Sequence, residues 1–158
     1  SDTIIENIKF GNFNANIDDV IKVSKNSSVH KDISSFKDQY ETILGERGVN
    51  LSGGQIQRIT IARALLKKSE ILILDDCLSS VDAKTERKIL SEIKKTKTNE
   101  TVIIVSHKVS SLMHADLIIV LDEGVVIEKG THEQLLSSDG FYKKLAQKQL
   151  ENIHQIKL

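Results

Sequence analysis

Three short stretches carry residue types that can do chemistry together. Ser52-Gly53-Gly54-Gln55 places two glycines at a predicted helix start. There the backbone can approach a ligand closely, and free N–H groups attract anions. On this stretch alone a plain helix cap explains the residues equally well. Asp75-Asp76 follows four apolar residues, Ile71 to Leu74, which puts both carboxylates at the carboxyl end of a predicted buried strand. Open α/β sheets bind ligands in the crevice at that edge. One acid can hold Mg²⁺ there, directly or through water, while its neighbour orients an attacking water. Taken alone, the pair reads more readily as two surface acids at a strand end. His107 ends a second apolar run at the same predicted edge, which sets it apart from His30, His114, His132 and His154, read as ordinary surface or core residues.

The elements that must position these groups follow from periodicity. Residues 1 to about 45 suggest short helices with polar breaks: Ile17, Val20 and Ile21 share one face, and Val29, Ile33 and Phe36 continue at helical spacing. Gly45 and Gly48 bracket a loop. Ser52 with Gln55 matches a capping box, opening a helix through about Lys67. Ile71 to Leu74 reads as a strand buried on both faces. Asp82 caps a helix carrying Ile89, Leu90 and Ile93, and Thr101 to Val105 is a second buried strand. A short helix spans Val109 to Met113, a third strand Leu117 to Leu121, and Asp122-Glu123-Gly124 turns the chain into a hairpin arm, Val125 to Ile127. Thr131 with Gln134 opens another helix, and a last one runs from Phe141 toward Ile153. Strands alternating with helices give an α/β fold with parallel strands.

Composition narrows the function classes. The 158 residues suffice for one core, built almost wholly from aliphatic side chains because aromatics are 4% and Trp is absent. Lys plus Arg equals Asp plus Glu, 22 against 22, so no basic excess favours nucleic acid. The single Cys77 permits neither an internal disulfide nor a thiolate zinc site, which fits a reducing compartment. The longest apolar runs are about five residues, against the roughly 20 of a membrane helix.

Taken together, Leu51-Ser52-Gly53-Gly54-Gln55-Ile56-Gln57-Arg58 resembles the signature motif of ABC-transporter ATPases, and Ile71 to Asp76 resembles their Walker B segment. Ser79-Ser80-Val81-Asp82 is similar to the D-loop, whose Asp lies between two ATPase domains, and His107 to the switch His of the γ-phosphate. Glu46-Arg47-Gly48 resembles a Gly-Glu-Arg-Gly loop of exporters that senses membrane-spanning helices; a solvated loop charge pair is the plainer alternative. Ser1 to Ile8 matches the stretch after the Q-loop, so the resemblance covers nearly the whole chain.

The resemblance implies an α/β fold: a helical subdomain over residues 1–50, then over 51–158 the signature helix and the C-terminal, RecA-like part of a mainly parallel P-loop NTPase sheet. It implies ATP and Mg²⁺ as cofactors, with Ser52, Gly53, Gly54 and Gln55 binding nucleotide, Asp75 holding metal and Asp76 and His107 catalytic. Asp82, Glu46 and Arg47 would serve interfaces. Partners would be a second ATP-binding domain and transmembrane domains at the cytoplasmic face of the cell membrane. The function implied is coupling of ATP hydrolysis to export. The alternatives are a non-transport ABC-type ATPase and an inactive interaction fragment.

Two departures qualify this. No Gly-x-x-x-x-Gly-Lys-Ser/Thr segment is present, so the chain is expected to be a C-terminal fragment that neither binds ATP tightly nor hydrolyses it alone. Its signature would complete a partner's site. Asp76 stands where efficient family members have Glu, a side chain longer by one bond of roughly 1.5 Å. Such a position resembles the weak site of heterodimeric exporters, which tilts the choice between homo- and heterodimer toward the latter.

Overall fold

The structure, a computed structural model, describes residues 2–45 and 48–155, with side chains through Glu151. The chain divides into two units, Ser1–Val105 and Ser106–Leu158.

The first unit opens with helices that start where a polar side chain can cap them. Thr3 accepts the Glu6 N–H ahead of α1 (Ile4–Lys9), and Asn16 accepts the Asp19 N–H ahead of α2 (Ile17–Asn26). Asp18 and Asp19 in the first turn of α2, with Lys25 in its last, suit the helix dipole. The short α3 (His30–Ser35) and a 3₁₀ turn, Gln39–Glu41, lead to α4 (Gly53–Leu66).

Helix α4 is apolar on two faces because it is packed on two faces. Ile59, Ala62 and Leu66 join a cluster with Ile4, Ile8, Val20 and Ile33. Ile61 and Leu65 join another with Leu72, Leu74, Ile89 and Ile93. The helix that begins at the signature is thus a wall shared by the helical layer and the sheet layer.

Strand β1 (Ile71–Asp75) pairs in parallel with β2 (Thr101–Val105), Ile71 opposite Thr101 and Asp75 opposite Val105, and α5 (Ala83–Thr96) connects them. This is the βαβ unit that the alternation of patterns predicts. One expectation changes. Leu72 and Leu74 are buried, but Ile71, Ile73, Ile103 and Val105 are exposed. The helices supply apolar partners to only one face, and among the described residues nothing covers the other.

The second unit contains α6 (Val109–Leu112), β3 (Ile118–Asp122), β4 (Val125–Gly130), α7 (His132–Ser137) and α8 (Phe141–Gln155). Strands β3 and β4 form an antiparallel hairpin with an irregularity between Val120 and Leu121. Glu123 and Gly124 both have positive φ, 47° and 77°, as a two-residue turn matched to strand twist requires. Val109, Ile118, Leu135, Tyr142 and Ala146 form this unit's core. No helix among the described residues is long and apolar enough to cross a membrane.

Candidate functional site

The N-terminus of α4 is built from both directions. Ser52 Oγ accepts the Gln55 N–H at 3.2 Å, and Gln55 Oε1 accepts the Ser52 N–H at 2.9 Å, a complete capping box. Gln55 Nε2 in turn donates to Asp32 Oδ1 at 3.1 Å, so both ends of its amide are used. Arg58, one turn on, donates to Asp32 Oδ2 and to the Ser28 carbonyl, each at 2.7 Å, and its Nε donates to the Gly54 carbonyl. Helix α3 therefore holds the signature helix by a charge-assisted fork. Burial opposes the charge on Asp32, but the hydrogen bonds from Arg58 and Gln55 and the Arg58 charge outweigh it, holding the carboxyl below its ordinary range.

Neither glycine is incidental. A Cβ on Gly54 would lie 2.8 Å from the Ser80 carbonyl oxygen, so the close pass of residues 79 and 80 requires its absence. A Cβ on Gly53 would meet the Ser80 side chain only at 3.5 Å, and Ser52 and Gly53 are exposed. The capping box leaves the Gly53 and Gly54 N–H groups unused at this helix start, as an anion site requires.

At the end of β1, Asp75 and Asp76 are both exposed. Asp76 has φ +43°, the left-handed region, which costs a non-glycine residue about 1–3 kcal/mol and suits Asp better than most. Its backbone is held on both sides. The N–H donates to the Val105 carbonyl at 2.9 Å, and the carbonyl accepts from Ser79 N–H at 3.3 Å and Ser79 Oγ at 3.0 Å. Burial, followed by the Asp76 and Asp75 charges, raises the pKa of the neighbouring Cys77 thiol. Asp82 caps α5, accepting the Lys84 and Thr85 N–H groups at 3.1 and 3.0 Å. Hydrogen bonding from Thr85 foremost keeps its carboxyl low.

Asp75 fits a hard divalent cation: Mg²⁺ is satisfied by one or two carboxylates plus phosphate and water oxygens. Among the described residues no three His, Cys, Asp or Glu side chains gather into a self-contained metal site.

His107 lies in the second unit, two residues past the end of β2 in sequence, and is exposed. Its carbonyl accepts from Gln149 Nε2 at 2.7 Å, while Gln149 Oε1 accepts the Val109 N–H at 2.9 Å. One amide from α8 therefore clamps the backbone on both sides of Lys108. Glu46 and Arg47 lie outside the described residues.

The structure thus brings Gly53 and Gly54 next to the segment that follows Asp75 and Asp76, while Ser52 and Gln55 bond to each other and Gln55 to Asp32. Sequence reasoning missed Asp32, Gln57 and Gln149 as supports. Arg58 stands inside the signature string, but its partner is 26 positions away and nothing local announces it.

Comparison with known proteins agrees with these motifs. Residues 2–79 match the family model described as ABC transporter. An ABC transporter ATP-binding protein of Bacillus subtilis is 46% identical over 156 residues, covering 99% of this chain and 27% of the relative. A multidrug resistance-like ATP-binding protein of Buchnera aphidicola is 51% identical, covering 92% and 25%. Among solved structures, a bacterial Atm1-family ABC exporter with ATP bound superposes with a TM-score of 0.89 at 38% identity, covering 94% of this chain and 26% of that one. The chain spans about a quarter of the length of these relatives. By motif, fold and likeness, it belongs to the ABC transporter family, within the ATP-binding domain.

Proposed function

We propose that this chain is part of the nucleotide-binding domain of an exporter, coupling ATP binding and hydrolysis to transport across a membrane. The observation that carries the reading is the capped, glycine-opened start of α4, closely packed against the segment that follows β1. Of Ser52, Gly53, Gly54 and Gln55, the two glycines offer backbone N–H donors and Ser52 its hydroxyl to the phosphates of a nucleotide held by a partner domain, while Gln55, bonded to Ser52 and Asp32, holds that turn in place. Asp75 holds Mg²⁺, which supplies charge neutralisation at the phosphates. Asp76 orients or deprotonates water, and His107 reaches the γ-phosphate. Asp82 lies at the interface with the second ATP-binding domain, and Glu46 and Arg47 face the transmembrane domains. The work takes place at the cytoplasmic face of the cell membrane, without nucleic acid, and these residues have no part in catalysis until partner segments complete both sites.

Asp76 makes the chain's own site the slower one. Its carboxylate is shorter than Glu, and a general base must come within about 2.6–3.2 Å of its proton. A heterodimeric arrangement follows, in which the intact signature serves the faster site on a Glu-bearing partner.

The test is ATP turnover by the purified transporter that carries this chain. Gly53→Asp, which sets a carboxylate where phosphate must approach, is expected to lower turnover about a hundredfold; unchanged turnover overturns the signature assignment. Asp76→Glu is expected to raise turnover tenfold or more in the absence of a Glu-bearing partner, on the scale of about 1 Å misplacements. Brisk turnover that Asp76→Glu leaves unmoved overturns the slow-site assignment.

A further inference from the structure

Gln57 lies on α4 one turn past the signature start, and its side-chain amide is spent entirely on one short segment. Nε2 donates to Ser79 Oγ at 2.9 Å, and Oε1 accepts the Ser80 N–H at 3.0 Å. The two bonds fix the amide's orientation, since a flipped amide would face donor to donor. The Ser79 hydroxyl passes the connection on, donating to the Asp76 carbonyl at 3.0 Å. A continuous path therefore runs from the signature helix, through Gln57 and Ser79, to the peptide unit that aims the Asp76 carboxylate.

That peptide unit needs holding. Asp76 sits at φ +43°, a conformation that persists only where surrounding structure enforces it. Val105 secures its N–H, and Ser79 secures its carbonyl. The same helix also passes close to that segment at Gly54, where the Ser80 carbonyl oxygen lies 2.8 Å from the place a Cβ would take. Helix α4 thus bonds residues 79 and 80 through Gln57 and closely approaches Ser80 at Gly54. A shift of the signature start cannot leave the 76–80 segment behind.

We propose that Gln57 is a positioning residue that links engagement of the signature by a partner's nucleotide to the aim of Asp76 at this chain's own site. The proposal rests on the roles assigned above to the signature and to Asp76. Gln57 touches neither nucleotide. It acts through Ser79 and the Asp76 carbonyl.

The experiment compares Gln57→Leu, Ser79→Ala and the double variant in the full transporter whose partner domain carries Gln in place of its catalytic Glu, so that turnover reports the Asp76 site. Each single variant is expected to lower kcat about tenfold while the KM for ATP stays within about twofold, since binding groups are untouched and only the Asp76 aim is lost. The double variant is expected to lose no more than Gln57→Leu alone, because both changes cut one path. Hydrogen exchange without nucleotide is expected to speed up at the Ser80 amide in Gln57→Leu but not in Ser79→Ala, which keeps the Gln57–Ser80 bond. Where Gln57→Leu does not fold, Ser79→Ala decides by its kcat alone. Unchanged kcat in the variants, a parallel rise in KM, or losses that multiply in the double variant overturn the proposal and leave the function standing. An unmutated transporter that turns over no ATP overturns both.

Discussion

At the scale of single residues, Asp32 is the side chain on which the signature helix is hung. It takes donors from Arg58 and Gln55, and the Arg58 side chain beside it is mostly buried. Removing the carboxylate charge leaves that guanidinium without its counter-charge. Asp32→Asn is expected to lower unfolding free energy at neutral pH by about 1.5–3 kcal/mol, the range for hydrogen bonds to charged groups. The folded carboxyl sits below its ordinary pKa, so its contribution is complete above the unfolded value of about 3.9 and is lost as pH falls through the lower folded one. Denaturation across pH 7 to 3 should therefore show the gap between the two proteins steady at first and closing at the acid end. A gap that widens toward acid contradicts the assignment. Cys77 gives a second residue-scale expectation. Burial, with Asp76 and Asp75 nearby, keeps it as the thiol, and since the thiolate is the reactive form, alkylation at pH 7.5 should be slower than that of a free cysteine in solution.

At the scale of elements, the start of α4 sets two glycines against each other. Helix propensity alone favours Ala over Gly by about 1 kcal/mol. Close approach decides otherwise at one of them. A Gly54 Cβ meets backbone, the Ser80 carbonyl, at 2.8 Å, while a Gly53 Cβ meets only a side chain at ordinary distance. Gly54→Ala is expected to destabilise the protein by about 1–3 kcal/mol, as overpacking does, and Gly53→Ala to leave stability within about 1 kcal/mol. Chemical denaturation of the two variants side by side checks this; equal stabilities contradict the 2.8 Å approach. The same element shows why a helix can be apolar on two faces: its Ile61 and Leu65 belong to the sheet layer, its Ile59 and Leu66 to the helical layer.

At the scale of the whole molecule, each unit carries an apolar sheet face that no described residue covers. Ile73 is 61% exposed and Ile103 44% exposed, side by side on β1 and β2, and the hairpin of the second unit exposes Ile119 and Leu121, with Val126 opposite Leu121. Contiguous apolar surface of this kind is a binding face or an aggregation liability. The 158-residue chain in isolation is expected to self-associate, and Ile73→Lys with Ile103→Lys to shift its sedimentation toward monomer. A clean monomer of the unsubstituted chain, by sedimentation velocity, contradicts the exposed face.

The features legible in the sequence were those whose partners lie within a few positions. The Ser52–Gln55 and Thr131–Gln134 capping boxes, the Asp82 cap, the glycine-opened helix start and the apolar run ahead of Asp75 all close over about one turn or one strand, so residue type and spacing determine them. Family resemblance then assigned those motifs to nucleotide chemistry. Tertiary structure alone decided what holds them. The Gln57–Ser79, Arg58–Asp32 and Gln149–His107 bonds join residues 22, 26 and 42 positions apart, and no periodicity encodes such pairings. It alone also set the left-handed backbone of Asp76 and the side of β1 left open. A backbone angle held by Val105 and Ser79, and a face that helices happen not to cover, exist only once distant segments have come together.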